Sequence, residues 1–205
     1  MRRELILAGY ESSGIGDLLH TQTFDTFSLS YAKTPEEREH LERNLENARR
    51  YAEAFSTEKA SNLLLFGATG LGKTHLSTAI ANTVIDRGFD VYYDTAKNVF
   101  SDFETVRFDR AYNQGEGEER ATDRFFDCDL FIIDDLGTEM TNQFTVSCLY
   151  NLLNTRMNKG LKTVISTNLS PDELQRKYED RIYSRIVGCG SRILLFGGTD
   201  RRLSV

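Results

Sequence analysis

The chain has 205 residues, 40% of them hydrophobic and 27% charged, which suits one α/β domain with a proper core. Its formal charge of −6 excludes a global basic field that would draw it to nucleic acid, so any DNA contact must use a local patch. No apolar run approaches the ~18 residues of a membrane span and nothing resembles a signal peptide, while Cys128, Cys148 and Cys189 form no CxxC pair and no zinc spacing, so a cytoplasmic protein with reduced thiols is expected.

In chain order, residues 1–10 are expected to form a short helix and residues 11–17 a loop. Thr23-Phe24-Asp25-Thr26-Phe27 sets two aromatics in a polar stretch; they either anchor a loop to the core or lie beside the base of a bound nucleotide. Thr34-Pro35-Glu36-Glu37 is a helix start, with an N-cap, a proline in the first turn and a capping-box glutamate. Leu41, Leu45, Ala48, Ala52 and Phe55 continue it as one apolar stripe, opposite a solvated face of Glu39, Arg43, Glu46, Arg49 and Arg50. The division expected is a linker segment with this capped helix over residues 1–60 and a core over 61–205.

The core opens with a strand over Leu63–Phe66 that runs into Gly67-Ala68-Thr69-Gly70-Leu71-Gly72-Lys73-Thr74. A strand, a glycine loop with this lysine and hydroxyl, and then a helix make a phosphate-binding loop. The glycines let backbone N–H groups turn inward, and the helix N-terminus adds its partial positive charge. Lys73 can reach the β- and γ-phosphates of ATP, and Thr74 can hold Mg²⁺; the bland alternative is a glycine-rich turn that binds nothing. Further strands are expected over Val91–Tyr93, Leu130–Ile133, Thr163–Ser166 and Arg192–Phe196. Helices are expected over Thr74–Arg87, Thr95–Phe108 and Gln143–Asn158, from the capping box at Ser170-Pro171-Asp172-Glu173, and over Glu179–Val187; residues 113–119 read as a loop. This alternation argues for a parallel sheet covered by helices on both faces, with ligands at the carboxyl ends of the strands.

Those ends carry suitable chemistry. The third strand closes on Asp134-Asp135, where Asp134 can hold Mg²⁺ through water opposite Thr74 and Asp135 can polarise an attacking water. Asn168 follows the fourth strand and can hydrogen-bond the γ-phosphate. Arg181 and Arg185 lie four apart on one helical face; they are either a surface pair bridged to Glu179 or Asp180, or Arg185 is an arginine finger that enters a neighbouring subunit's site.

Together, G-A-T-G-L-G-K-T-H-L, F-I-I-D-D-L-G-T-E, I-S-T-N-L and R-I-Y-S-R resemble the AAA+ ATPases of the DnaC/DnaI helicase-loader group and the similar IstB transposition helpers, over about residues 23–202. The resemblance implies a three-layer P-loop core with a five-stranded parallel sheet of order 5-1-4-3-2, and ATP and Mg²⁺ as ligands. It makes Gly67 to His75 the nucleotide-binding run, Asp134 and Asp135 the Walker B pair, Asn168 the sensor, Arg185 the finger, and Arg202 (or Arg201) the C-terminal sensor arginine. It also implies slow ATP hydrolysis, a homo-oligomer joined through the ATP interface, and contacts with the replicative DNA helicase and single-stranded DNA. The alternatives are a transposition helper and, further off, a small P-loop kinase. Asp135 stands where many AAA+ proteins have glutamate, which puts fast turnover in doubt. Few residues follow Arg202, so no C-terminal lid is expected, and the roughly sixty residues ahead of the loop suggest the ATPase portion of a longer loader or a short member that recruits differently. In this family single-stranded DNA meets the segment corresponding to residues 96–124. That segment carries Lys97, Arg107, Arg110, Tyr112 and Arg120, but Asp102, Glu104, Asp109, Glu116, Glu118 and Glu119 lie in it too, so a solvated helix explains it almost as well.

Overall fold

The computed structural model describes residues 16–112, 122–188 and 190–197. A short helix, α1 (Gly16–Thr21), and a long one, α2 (Pro35–Glu53), lead into β1 (Leu63–Gly67) and α3 (Lys73–Asp86). Then come β2 (Val91–Thr95), α4 (Ala96–Tyr112), α5 (Asp123–Asp127), β3 (Leu130–Leu136), α6 (Gln143–Asn158), β4 (Lys162–Thr167), α7 (Pro171–Val187) and β5 (Arg192–Phe196). All strand pairs are parallel and the order is β2-β3-β4-β1-β5, the expected 5-1-4-3-2 read from the other edge.

The strands are apolar almost throughout because both faces are covered. Leu63, Leu65, Leu130, Ile132 and Val164 point into one core with α2 and α3. Leu64, Phe131, Ile133 and Ile165 point into the other with α4, α6 and α7. Adjacent residues thus serve opposite layers, as the pleat requires.

The capping signals act as expected, with one refinement. Thr34 Oγ1 accepts from the Glu37 N–H at 3.2 Å, while the Glu37 carboxylate takes the Lys33 N–H at 2.8 Å, one residue outside the cap. On α2, Arg38 and Arg50 form exposed i,i+4 pairs with Glu42 and Glu46. Arg49 departs from the solvated face: it bridges to Asp25 at 2.8 Å and lies over the Phe24 ring, pinning the preceding segment.

Three differences from the sequence reading matter. Part of the stretch read as a loop is α1. The strand β3 runs on through both aspartates. The two helices expected after Ser170 are one element, α7, broken at Glu179 by φ 64° and ψ 160°. The early helix and the loop over 113–119, like Cys189, lie outside the described residues.

A fully buried arginine organises the β3–β4 layer. Arg156 of α6 donates to the carbonyls of Phe125 and Lys162 at 2.7 and 2.6 Å, to Thr163 Oγ1 at 3.1 Å and to Cys128 Sγ at 3.4 Å. It thereby ties down α5, a helix too short to hold itself. Burial pushes the Cys128 thiol up to about 11, so it is an inert core group. Arg156→Ala strands these acceptors and opens a cavity. Urea unfolding should show a loss on the order of 3 kcal/mol, and Cys128 should become reactive to thiol reagents under native conditions.

Candidate nucleotide site

The loop between β1 and α3 is shaped by contacts only glycine permits. A Cβ on Gly67 would sit 2.1 Å from the Phe196 carbonyl oxygen of β5, and Gly72 has φ 91° at the N-cap of α3. No side chain caps that helix end, so its first N–H groups face the loop. Lys73 is buried, and its Nζ donates to the Gly67 and Ala68 carbonyls at 2.7 and 2.8 Å. Over the loop lies a cavity of about 540 Å³, bounded by Asp135 on one side and by Gln22 and Tyr31 on another. Its size is that of a small-molecule site. The uncapped helix end, the glycine cradle and the inward ammonium fit a triphosphate.

Asp134 is buried at the end of β3 and accepts two hydroxyls. Thr74 Oγ1 donates to Oδ2 at 2.8 Å, and Ser166 Oγ donates to Oδ1. Ser166 Oγ in turn accepts the Asp135 N–H at 2.9 Å. The register between β3 and β4 slips by one residue between Ile133 and Leu136, and Asp135 takes φ 55°. The bulge divides the pair: Asp134 stays inside, and Asp135 turns to the cavity. A hydroxyl beside a carboxylate, facing phosphate oxygens, is a donor set that Mg²⁺ takes. Burial, and then the Asp134 charge, push the neighbouring Tyr93 phenol well above its usual range.

The structure thus brings together the Gly67–Thr74 loop, Asp134 and Asp135, and sets Asn168 at its edge, where Nδ2 lies 3.5 Å from Thr69 Oγ1. His75 borders the cavity, but its ring is used differently from a phosphate ligand. Nε2 donates to the Thr23 carbonyl at 2.8 Å and the ring meets Phe27 edge-on at 5.2 Å. Phe24 and Phe27 are both buried, so this segment is anchored to the core, and its neighbours Gln22 and Tyr31 form the cavity wall. Arg185 stands apart, against α6: it donates to Tyr150 Oη at 2.9 Å and to Asn154 Oδ1 at 3.0 Å. Arg181 pairs with Glu179 at 3.2 Å. Arg201 and Arg202 lie outside the described residues. Of the expected DNA-facing segment, Lys97 is exposed and Arg107 lies over the Phe144 ring at 4.9 Å; Arg120 is outside the described residues. Ser166 was missed by sequence reasoning. Its only signal was its place two residues before Asn168 on a strand beside Asp134.

Residues 17–187 match the family model described as "IstB-like ATP binding protein". The replicative helicase loader DnaC of Escherichia coli K12 is 28% identical over 142 residues, covering 69% of this chain and 56% of that protein. The chain therefore spans little more than half the length of that relative. A crystal structure of the DnaC helicase loader superimposes with a TM-score of 0.72 at 20% identity, covering 87% of this chain and 98% of the other. A replication initiator DnaA bound to AMPPCP and single-stranded DNA superimposes at 0.61, with 20% identity over 87% of this chain and 50% of that one.

Two substitutions test the geometry. Lys73→Ala should weaken ATP binding at least about tenfold, the affinity of about 1.4 kcal/mol, in calorimetric titration. Ser166→Ala should leave nucleotide binding in place but weaken Mg²⁺ affinity about 10- to 100-fold, as loss of an outer-shell partner does. Unchanged Mg²⁺ titrations would remove Ser166 from the site.

Proposed function

Because the chain belongs to the IstB-like ATP-binding family, and its core is that of an AAA+ ATPase, we propose that it is an ATP-switched loader of the replicative DNA helicase. In this reading it assembles on single-stranded DNA and hydrolyses ATP slowly. The observation that carries the ATP chemistry is the hydrogen-bonded chain Thr74–Asp134–Ser166–Asp135 beside the uncapped end of α3. The loader role is supported by the likeness to DnaC.

The residues divide the work as follows. Lys73 exchanges the Gly67 and Ala68 carbonyls for phosphate oxygens, a stronger charge-assisted partner. Thr74 and Asp134 would hold Mg²⁺, which when bound would neutralise phosphate charge. Asp135 receives a proton from the attacking water, and Asn168 orients that water. Asp135 is one carbon shorter than glutamate, so turnover is slow. Arg185 of a second copy supplies the charge that stabilises the transition state, worth roughly 10³- to 10⁵-fold in such enzymes.

A second reading, a transposition helper, is favoured by the family match itself. Affinity capture separates the two: the loader reading expects ATP-dependent retention of a replicative helicase, and retention of a transposase alone overturns it. The finger is tested by mixing. Arg185→Ala should abolish assembly-dependent turnover, and adding Lys73→Ala subunits, which bind ATP poorly but keep Arg185, should restore it. Failure of the mixture to exceed the sum of its parts rejects action across an interface.

A further inference from the structure

The segment just after Asp135 is tied to the helix that carries Arg185, and the tie is polar and buried. Glu139 folds the segment back on itself: its Oε2 accepts the Gly137 N–H at 2.8 Å. Thr138 Oγ1 adds a bond to the Asp135 carbonyl at 2.9 Å. Gly137 has φ 111°, and Leu169, the residue after Asn168, packs so closely that a Cβ there would lie 2.6 Å from it. The segment that leaves β3 is thus packed against the residue that follows Asn168.

The other oxygen of Glu139 reaches α7. Tyr178 Oη donates to Oε1, and the Lys177 ammonium lies 3.5 Å from the same atom. Lys177 also donates to the Gly137 and Glu139 carbonyls at 2.5 and 3.0 Å. The next residue is Glu179, whose φ of 64° is one that side chains other than glycine rarely adopt. Here the helix stops, turns and resumes. The resumed half carries Arg181 and Arg185, and Arg185 Nη1 donates to the Arg181 carbonyl at 2.6 Å. The direction of that half is therefore set at Glu179, and the fixed points just before it are Lys177 and Tyr178.

We infer that Glu139 and Tyr178 are positioning residues for Arg185, holding the turn at Glu179 so that the finger-bearing half of α7 keeps a fixed direction relative to Asp135. The inference rests on the reading of Arg185 as a finger. A strained backbone persists only where its surroundings over-determine it, and this contact supplies that determination. Burial, and then the Glu139 charge, raise the Tyr178 phenol far above its ordinary value, so it remains a proton donor at neutral pH. A role limited to satisfying the Gly137 N–H would need Glu139 but not the Tyr178 hydroxyl.

The test asks which subunit suffers. Tyr178→Phe keeps the ring and removes only the hydroxyl. It should leave ATP affinity unchanged and lower single-stranded-DNA-stimulated turnover at saturating ATP by about 10- to 100-fold, the scale of a small misplacement. In the Arg185→Ala background it should lower turnover no further. In mixtures, the defect should follow the finger donor. Lys73→Ala/Tyr178→Phe subunits should fail to rescue Arg185→Ala, whereas Lys73→Ala subunits should rescue Arg185→Ala/Tyr178→Phe. The opposite pattern, or rescue in both arrangements, overturns the inference while the finger reading stands. Full turnover by Arg185→Ala alone would remove the finger reading, and this inference with it. Should Tyr178→Phe lower the melting temperature enough to unfold the chain, Glu139→Gln in the same mixtures gives the same contrast.

Discussion

The buried carboxylate of Asp134 holds the loop end of the sheet together. Removing a carboxylate from water is costly unless donors replace the lost solvent. Thr74 and Ser166 are those donors, from the start of α3 and the end of β4. The same Ser166 oxygen accepts the Asp135 N–H, so the need to solvate one aspartate also fixes its neighbour. Between two covered faces the strands have no room to shift. The extra residue of β3 is therefore absorbed at the aspartates, where the chain can turn toward the cavity.

The N-terminal segment is part of this arrangement because α3 carries it. Asn82 donates to the Leu19 and Gln22 carbonyls at 2.7 and 3.1 Å, and His75 holds Thr23. Arg49 clamps the same segment from α2 through Asp25. The helix whose N-terminus faces the cavity thus positions the cavity's far wall along its flank. A change in the pose of α3 would move Gln22 with it.

Features encoded by local pattern were legible in the sequence. The apolar runs of β1 and β3 are continuous because both faces are covered, and the phosphate loop needs its residues in a contiguous order. The caps at Thr34 and Ser170 depend on neighbours three residues away. What escaped depends on long-range encounters. Ser166 matters because β4 lies beside β3, 32 residues apart in sequence. Arg156 is buried because α5 and β4 close around it, which no local pattern announces. The pairing of Glu139 with Tyr178, 39 residues away, has no periodicity to betray it. His75 was read with the motif around it, yet its partner is the Thr23 carbonyl, 52 residues earlier.

The two arginines of α7 can be told apart by their partners. Arg181 is ion-paired to Glu179, so its charge is already opposed within the chain. Arg185 is held by a phenol, an amide oxygen and a main-chain carbonyl, and it lies over the Tyr150 ring at 4.3 Å. These partners orient the guanidinium without supplying a formal negative charge to neutralise it. A phosphate offers a bidentate, charge-assisted alternative stronger than any of them. Arg185 does not border its own chain's cavity. An arginine so placed is suited to a phosphate brought by another molecule, whereas Arg181 would first have to break an ion pair. That difference supports the proposal of Arg185, rather than Arg181, as the residue through which one copy would act on the next.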